Sequence, residues 1–160
     1  MRKRLIIFVI IFLNIFVGRY LYIKAHPPLM VSGFSSYADN EWKKVIEIVN
    51  KGSSDVFLQN ALVNGKEPPI HELGVSRSNH LVIGSGLDED PNITYHPIKE
   101  LAVHPKLSTE KLRILYDQKD REVIKHYGIR VIGNEIPEVI TIEYRYMGIL
   151  FAVHIDVRER

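Results

Sequence analysis

The segment from Val139 to Asp156, VITIEYRYMGILFAVHID, keeps an apolar or aromatic residue at every second position on both sides of Met147-Gly148, and few folds can accept it. A two-residue turn there sets Tyr146 opposite Ile149, Tyr144 opposite Phe151, Ile142 opposite Val153 and Ile140 opposite Ile155. Side chains on a strand alternate with period two, so these apolar and aromatic residues share one face. The other face pairs Arg145 with Leu150, Glu143 with Ala152, Thr141 with His154 and Val139 with Asp156, a mixed set that suits water. Cross-strand aromatic and β-branched pairs add about 0.2 to 1 kcal/mol each relative to alanine pairs. A slip of one residue would turn the whole apolar set to solvent, so the register is fixed and the hairpin needs an apolar layer to pack on.

Upstream the same chemistry repeats. Trp42 to Val49 is rich in β-branched residues and closes on the turn sequence Asn50-Lys51-Gly52-Ser53-Ser54. Val56 to Val63 reads as a second strand, with Val56, Leu58 and Leu62 on one face and Phe57, Ala61 and Val63 on the other. Asn64-Gly65 then announces a tight turn, but Pro68 and Pro69 remove backbone donors, so a loop should follow. Leu73 to Val75, His80 to Ile83, Ile93 to Tyr95, Ile98 to Val103 and Tyr127 to Ile132 complete the expected strands. Ser108 to Lys119 has a different pattern. Ser108 can cap, Glu110 stands in the first turn, and Leu112, Leu115 and Tyr116 fall on one helical face. Short strands with turn signals about every ten residues predict a mainly β chain, an immunoglobulin-like antiparallel β-sandwich over 41–160 with the one short helix crossing between sheets. Without cysteines, the disulfide-and-tryptophan pattern of true immunoglobulin domains is absent.

Ahead of this domain stands Leu5 to Gly18, LIIFVIIFLNIFVG, directly behind Met1-Arg2-Lys3-Arg4. That is an export or insertion signal. Tyr20-Leu21-Tyr22-Ile23 extends it to 19 residues, roughly 28 Å of helix and near the thickness of a bilayer core. The tyrosines suit an interfacial belt, and the stem of Arg19 can carry its charge to the headgroups. Residues 1–25 therefore read as a retained signal anchor or, alternatively, as a signal peptide cleaved after Ala25. The cationic N-terminus predicts a cytoplasmic Met1, a single pass and an extracellular domain. His26 to Asn40, with Pro27, Pro28 and Gly33, reads as a juxtamembrane linker.

The anchor also explains the net charge of +2. Residues 1–25 carry five of the 21 Lys and Arg and no acid, which leaves 16 basic against 19 acidic residues in the domain. Phosphate backbones need a clustered basic face, so a nucleic-acid partner is not expected. The absence of cysteine excludes disulfides, zinc-thiolate sites and thiol nucleophiles.

Trp42-Lys43-Lys44-Val45, Glu72-Leu73-Gly74-Val75-Ser76, Gly86-Leu87-Asp88-Glu89-Asp90-Pro91, His126-Tyr127-Gly128-Ile129-Arg130-Val131 and Ile142-Glu143-Tyr144-Arg145-Tyr146 together resemble an uncharacterised family of small membrane-anchored proteins of Bacillus-type bacteria. The resemblance runs over nearly the whole chain. It implies a Gram-positive cell envelope and brings no activity or site with it.

Few residues point to chemistry. Asp88, Asp90 and Asn92 are spaced like the first oxygen ligands of a calcium loop, but Ile93 stands where the turn needs glycine and Lys99 where a bidentate glutamate belongs. They read as a solvated acidic loop or a weak calcium site, with no other cofactor expected. His71, His80, His96, His104, His126 and His154 are scattered, without metal-ligand spacing. Ser76, Ser78 and Ser85 lie near His80 and Asp88, yet no G-x-S-x-G frames them. Gly84-Ser85-Gly86 lacks the strand, helix and third glycine of a dinucleotide loop. Phe34, Tyr37 and Trp42 form an aromatic group at the domain's membrane-proximal entrance, either covering the bottom of the core or docking a partner. The functional expectation is a membrane-tethered extracytoplasmic binding or scaffold module, whose partner is another envelope protein or a second copy. The alternative is an envelope hydrolase using the Ser76 to Asp88 region.

Overall fold

The computed structural model describes residues 2–37, 40–78, 80–83, 90–117 and 123–158, with the backbone alone for 2–5, 116 and 117. The elements run α1 (Arg2–Ala25), β1 (Leu29–Tyr37), β2 (Asn40–Asn50), β3 (Val56–Val63), β4 (Ile70–Ser76), β5 (Ile93–Pro97), α2 (Thr109–Asp117), β6 (His126–Ile132), β7 (Val139–Tyr146) and β8 (Ile149–Asp156). The strands form two antiparallel sheets, a five-stranded one in the order β1-β2-β6-β4-β5 and a three-stranded one in the order β3-β7-β8. One core joins them. Ile46, Ile48, Leu73, Val75, Ile129 and Val131 come from the larger sheet, and Val56, Leu58, Ile140, Ile142 and Tyr144 from the smaller. What this shares with immunoglobulin domains is the layout of two antiparallel sheets over a common apolar layer.

The β7–β8 hairpin has the register that its alternation demands, from Val139 opposite Asp156 to Tyr146 opposite Ile149. Tyr144 stacks on Phe151 with ring centroids 5.3 Å apart. Asn64-Gly65 also turns sharply, and Val63 and Lys66 exchange backbone hydrogen bonds of 2.8 and 2.9 Å across it. The Ser108 hydroxyl caps α2 by accepting the Lys111 N–H at 3.2 Å.

Other expectations are corrected. Residues 29–37 are not linker but edge strand β1, because Leu29 is buried in the core and the chain pairs with β2 from there on. The spacer shrinks to His26-Pro27-Pro28, and the domain begins at Leu29. In β3 a bulge between Leu58 and Asn60 resets the alternation, so Val56, Leu58, Ala61 and Val63 are buried together while Phe57 is exposed. Ile98 to Val103 is no strand. Pro97 and Glu100 close a turn, and Val103 alone bridges to Val56. Ile98 and Val103 fill core from loop backbone. The helix α2 joins β5 to β6 within one sheet and does not cross between sheets. His80 to Ile83 is not a strand either, and its place in the fold leads to the site.

The helix α1 exposes apolar side chains on every side, among them Phe8, Leu13 and Phe16. Its stretch Ile6–Ala25 is long and apolar enough to cross a membrane. At its end Ile23 packs against the domain core, and the His26 ring bonds the Tyr22 carbonyl at 2.9 Å.

Candidate functional site

Every residue of β2 from Lys43 to Ile48 is buried, which requires cover on both faces of the larger sheet. The inner face has the core. On the outer face lies the segment Leu81-Val82-Ile83, whose Val82 and Ile83 side chains seal that face instead of extending it. The sheet has a trough for this strap. Gly33 pairs with Glu47, Glu47 with Gly128, Gly128 with Gly74 and Gly74 with Tyr95, one row across all five strands. A Cβ on Gly128 would stand 2.6 Å from Val82 Cγ1, one on Gly74 2.8 Å from the same atom, and one on Gly33 3.3 Å from Ile83 Cδ1. These glycines make room on the sheet surface for the Val82 and Ile83 side chains.

Glu47 is the only side chain with a charge in that row, and it is 2% exposed. A buried carboxylate needs donors, because its desolvation otherwise costs several kcal/mol. The strap supplies two. The backbone N–H groups of Val82 and Ile83 donate to Oε2 at 2.9 and 3.3 Å. His126 Nδ1 stands 3.4 Å from Oε1. Glu47 therefore clamps the strap on one side and faces an imidazole on the other.

The imidazole edge opens on a cleft of about 290 Å³ between the ends of β1 and β2, the segment 104–107, α2 and the start of β6. Met30, Ile48, Leu81, Leu107, Leu112 and Ile124 give it apolar walls. Its rim carries His104, Lys106, Lys125 and His126, with Glu47 at one side. Tyr127 is fixed in the same wall, where its hydroxyl accepts the His104 N–H at 3.3 Å. Burial, opposed in part by that hydrogen bond, pushes the Tyr127 hydroxyl above its ordinary value, so it stays neutral throughout the physiological range. His104 is held by Asp55, Nδ1 to Oδ1 2.9 Å. The cleft thus offers apolar contact surface, a basic rim and two histidines each paired with a carboxylate, His126 with Glu47 and His104 with Asp55. Among the described residues, no hydroxyl is hydrogen-bonded to the His126 ring.

The residues singled out by sequence lie elsewhere. Asp88 and Ser85 are outside the described residues. Asp90 and Asn92 hold each other, since Asp90 Oδ1 accepts the Asn92 backbone N–H and its amide, both at 2.8 Å. Asp90 Oδ2 pairs with His80 Nδ1 at 2.7 Å, so this carboxylate fastens the two flanks of the strap. Asn92 and His80 hold its carboxyl below the usual carboxylate range. Among the described residues no group of three His, Asp or Glu side chains is placed to hold a metal ion. Ser76 and Ser78 bond each other at 3.2 Å, and neither hydroxyl bonds the His80 ring.

The aromatic group is also elsewhere. Because β1 starts beside α1 and runs away from it, Tyr37 and Trp42 stand at the far end of the domain, not at its entrance. Trp42 is 51% exposed and Phe34 38%, while Tyr37 packs by Val45, Val82 and Ile93 and carries the Lys43 ammonium 3.8 Å above its ring.

The row of Glu47 with three glycines is not anticipated from the sequence, where Gly33 reads as part of the linker and Gly74 and Gly128 stand only within the motifs of the family resemblance. The signal was present, as an acid inside the apolar run VIEIV and a glycine inside each of three strands. Compared with family models, curated proteins and solved structures, the chain gives no match.

Proposed function

We propose that the chain is a membrane-tethered, extracytoplasmic binding module of the cell envelope, held by α1 as a retained single-pass anchor with its N-terminus in the cytoplasm. The observation that carries the reading is the preformed cleft beside the clamped Glu47–His126 pair. Ligand sites are concave, mostly apolar and carry a few fixed polar groups, and this cleft has that make-up at the small end of the size range. Its apolar walls under a basic rim suit an apolar group bearing an acidic function, on a neighbouring envelope protein or a second copy of the chain. The tether is supported by an N-terminal helix apolar on all sides behind three cationic residues.

Site-specific photocrosslinking in intact cells tests it. A photoreactive residue at Leu81 or Leu107 should yield a discrete adduct, weakened by Lys106→Glu, whereas one at Ala152 on β8 should yield none. Absence of adducts from both cleft positions would sink the binding reading. Protease added to intact cells should digest the domain, and a mature N-terminus at His26 would replace the tether by secretion.

A further inference from the structure

The two sharp turns of the domain share one backbone and differ in chemistry. Asn64-Gly65 has φ of 49° and 81°, and Met147-Gly148 has 47° and 81°. Left-handed backbone at the first position suits asparagine and is costly for methionine. Asn64 uses its place fully, accepting the Glu138 and Val139 N–H groups at 2.9 and 3.1 Å. Met147 has no such use and is 38% exposed. Its location gives the reason. Tyr146 and Met147 line a cleft of about 440 Å³ with Arg19, Tyr22 and Ile23 of α1, so the β7–β8 turn stands beside the last two turns of the helix. Lys24 Nζ lies 5.4 Å from the centre of the Phe151 ring.

Next to the turn, the outer face of the smaller sheet carries a cross-strand row, Phe57 opposite Arg145 opposite Leu150. Phe57 is 52% and Leu150 57% exposed, and Arg145 is exposed between them. Lys51, Lys24 and Arg19 are exposed around the same end. Large apolar side chains ringed by cations, at the level where an apolar helix leaves the domain, are the make-up of an interfacial surface.

We propose that this end of the domain rests on the bilayer that α1 crosses, with Met147, Leu150 and Phe57 at the boundary of headgroups and acyl chains and Arg145, Lys51 and Lys24 against anionic headgroups. The proposal depends on α1 lying in a membrane. The bilayer is the occupant because the Met147 turn shares a cleft with Arg19, inside the apolar stretch Ile6–Ala25, and because the apolar side chains come with positive charge.

The chain has no cysteine, so single-cysteine variants of the full chain can each carry one environment-sensitive fluorophore: Met147→Cys, Leu150→Cys, Leu13→Cys within α1, and Ile136→Cys as an exposed control away from α1. The chains are placed in phosphatidylcholine nanodiscs with and without phosphatidylglycerol, with nitroxide-labelled lipid as quencher. The expected result is blue-shifted, quenched emission at 147 and 150 and neither effect at 136. Phosphatidylglycerol should strengthen the quenching, and Lys51→Glu with Arg145→Glu should abolish that gain. Unquenched probes at 147 and 150 beside a quenched probe at 13 would overturn the proposal and leave the tether standing. An unquenched probe at 13 would overturn the tether and the proposal together. Quenching that ignores lipid charge would overturn the role of the cations.

Discussion

Glu47 ties the strap to the outer face of the larger sheet. Glu47→Leu would leave the buried N–H of Val82 and the half-buried N–H of Ile83 without an acceptor. Each orphaned group costs about 1 to 3 kcal/mol, so a loss of about 3 kcal/mol is expected by denaturant titration. Glu47→Gln keeps an acceptor and should lose about 1 kcal/mol. Gly128→Ala drives a methyl into Val82 at 2.6 Å, and overpacking of this kind costs about 1 to 3 kcal/mol. Val82 Cβ would also stand 2.7 Å from that methyl, so Val82→Ala keeps the clash. Gly128→Ala combined with Val82→Gly should instead cost less than the two single losses added, and a purely additive double mutant would show that the strap does not lie in the trough. Asp90 sets the pH dependence of the flanks. Its depressed carboxyl stabilises the fold above the unfolded value of about 3.9 and loses that contribution as pH falls through the folded value. Thermal unfolding followed from pH 6 to pH 3 should therefore fall more steeply in the native chain than in Asp90→Ala. These residues were individually visible in the sequence. Their alignment was not, because the row joins strands as far apart as Gly33 and Tyr95, and nothing local sets that register.

Among the elements, those governed by short-range rules were legible and those governed by tertiary cover were not. The β7–β8 hairpin follows from period-two alternation around a two-residue turn, and α2 from its cap and helical face. The bulge in β3 escaped because one inserted residue inverts the parity of everything beyond it. His80 to Ile83 escaped because a strap sealing a sheet and a strand within one show the same apolar run. Ile98 to Val103 failed for a related reason, since a turn can place apolar side chains in the core. The two matched turns give a prediction at this scale. Met147→Asn should raise stability by about 1 kcal/mol by relieving left-handed methionine. In nanodiscs it should also weaken lipid quenching at Leu150. Asn64→Ala should do the reverse to stability, losing about 2 kcal/mol with its hydrogen bonds to Glu138, Val139 and Ile136.

For the molecule as a whole, the division into an apolar helix and a mainly β domain was plain from composition, and the boundary between them was not. Proline and glycine made 26–40 look like spacer, yet only three residues separate α1 from β1. A linker this short couples the domain to the helix axis, with Ile23 seated on the core. Pro28 is buried beside Gly52, where an added Cβ would meet it at 2.8 Å and the Tyr146 hydroxyl at 2.7 Å. Gly52→Ala should therefore loosen the junction, read as a lower unfolding midpoint by about 1 to 3 kcal/mol equivalent.

The entry of the chain through β1 also fixes how the domain would carry load. β1 leaves the end of α1 and runs directly away from it, paired along its length with β2, and the Lys51 N–H holds Pro28 at 2.8 Å. A pull on α1 against the far end of the domain would act along the strand axis, across ladder bonds that lie perpendicular to it. Such a junction is strained in shear, with many bonds stressed together, and does not peel open one pair at a time.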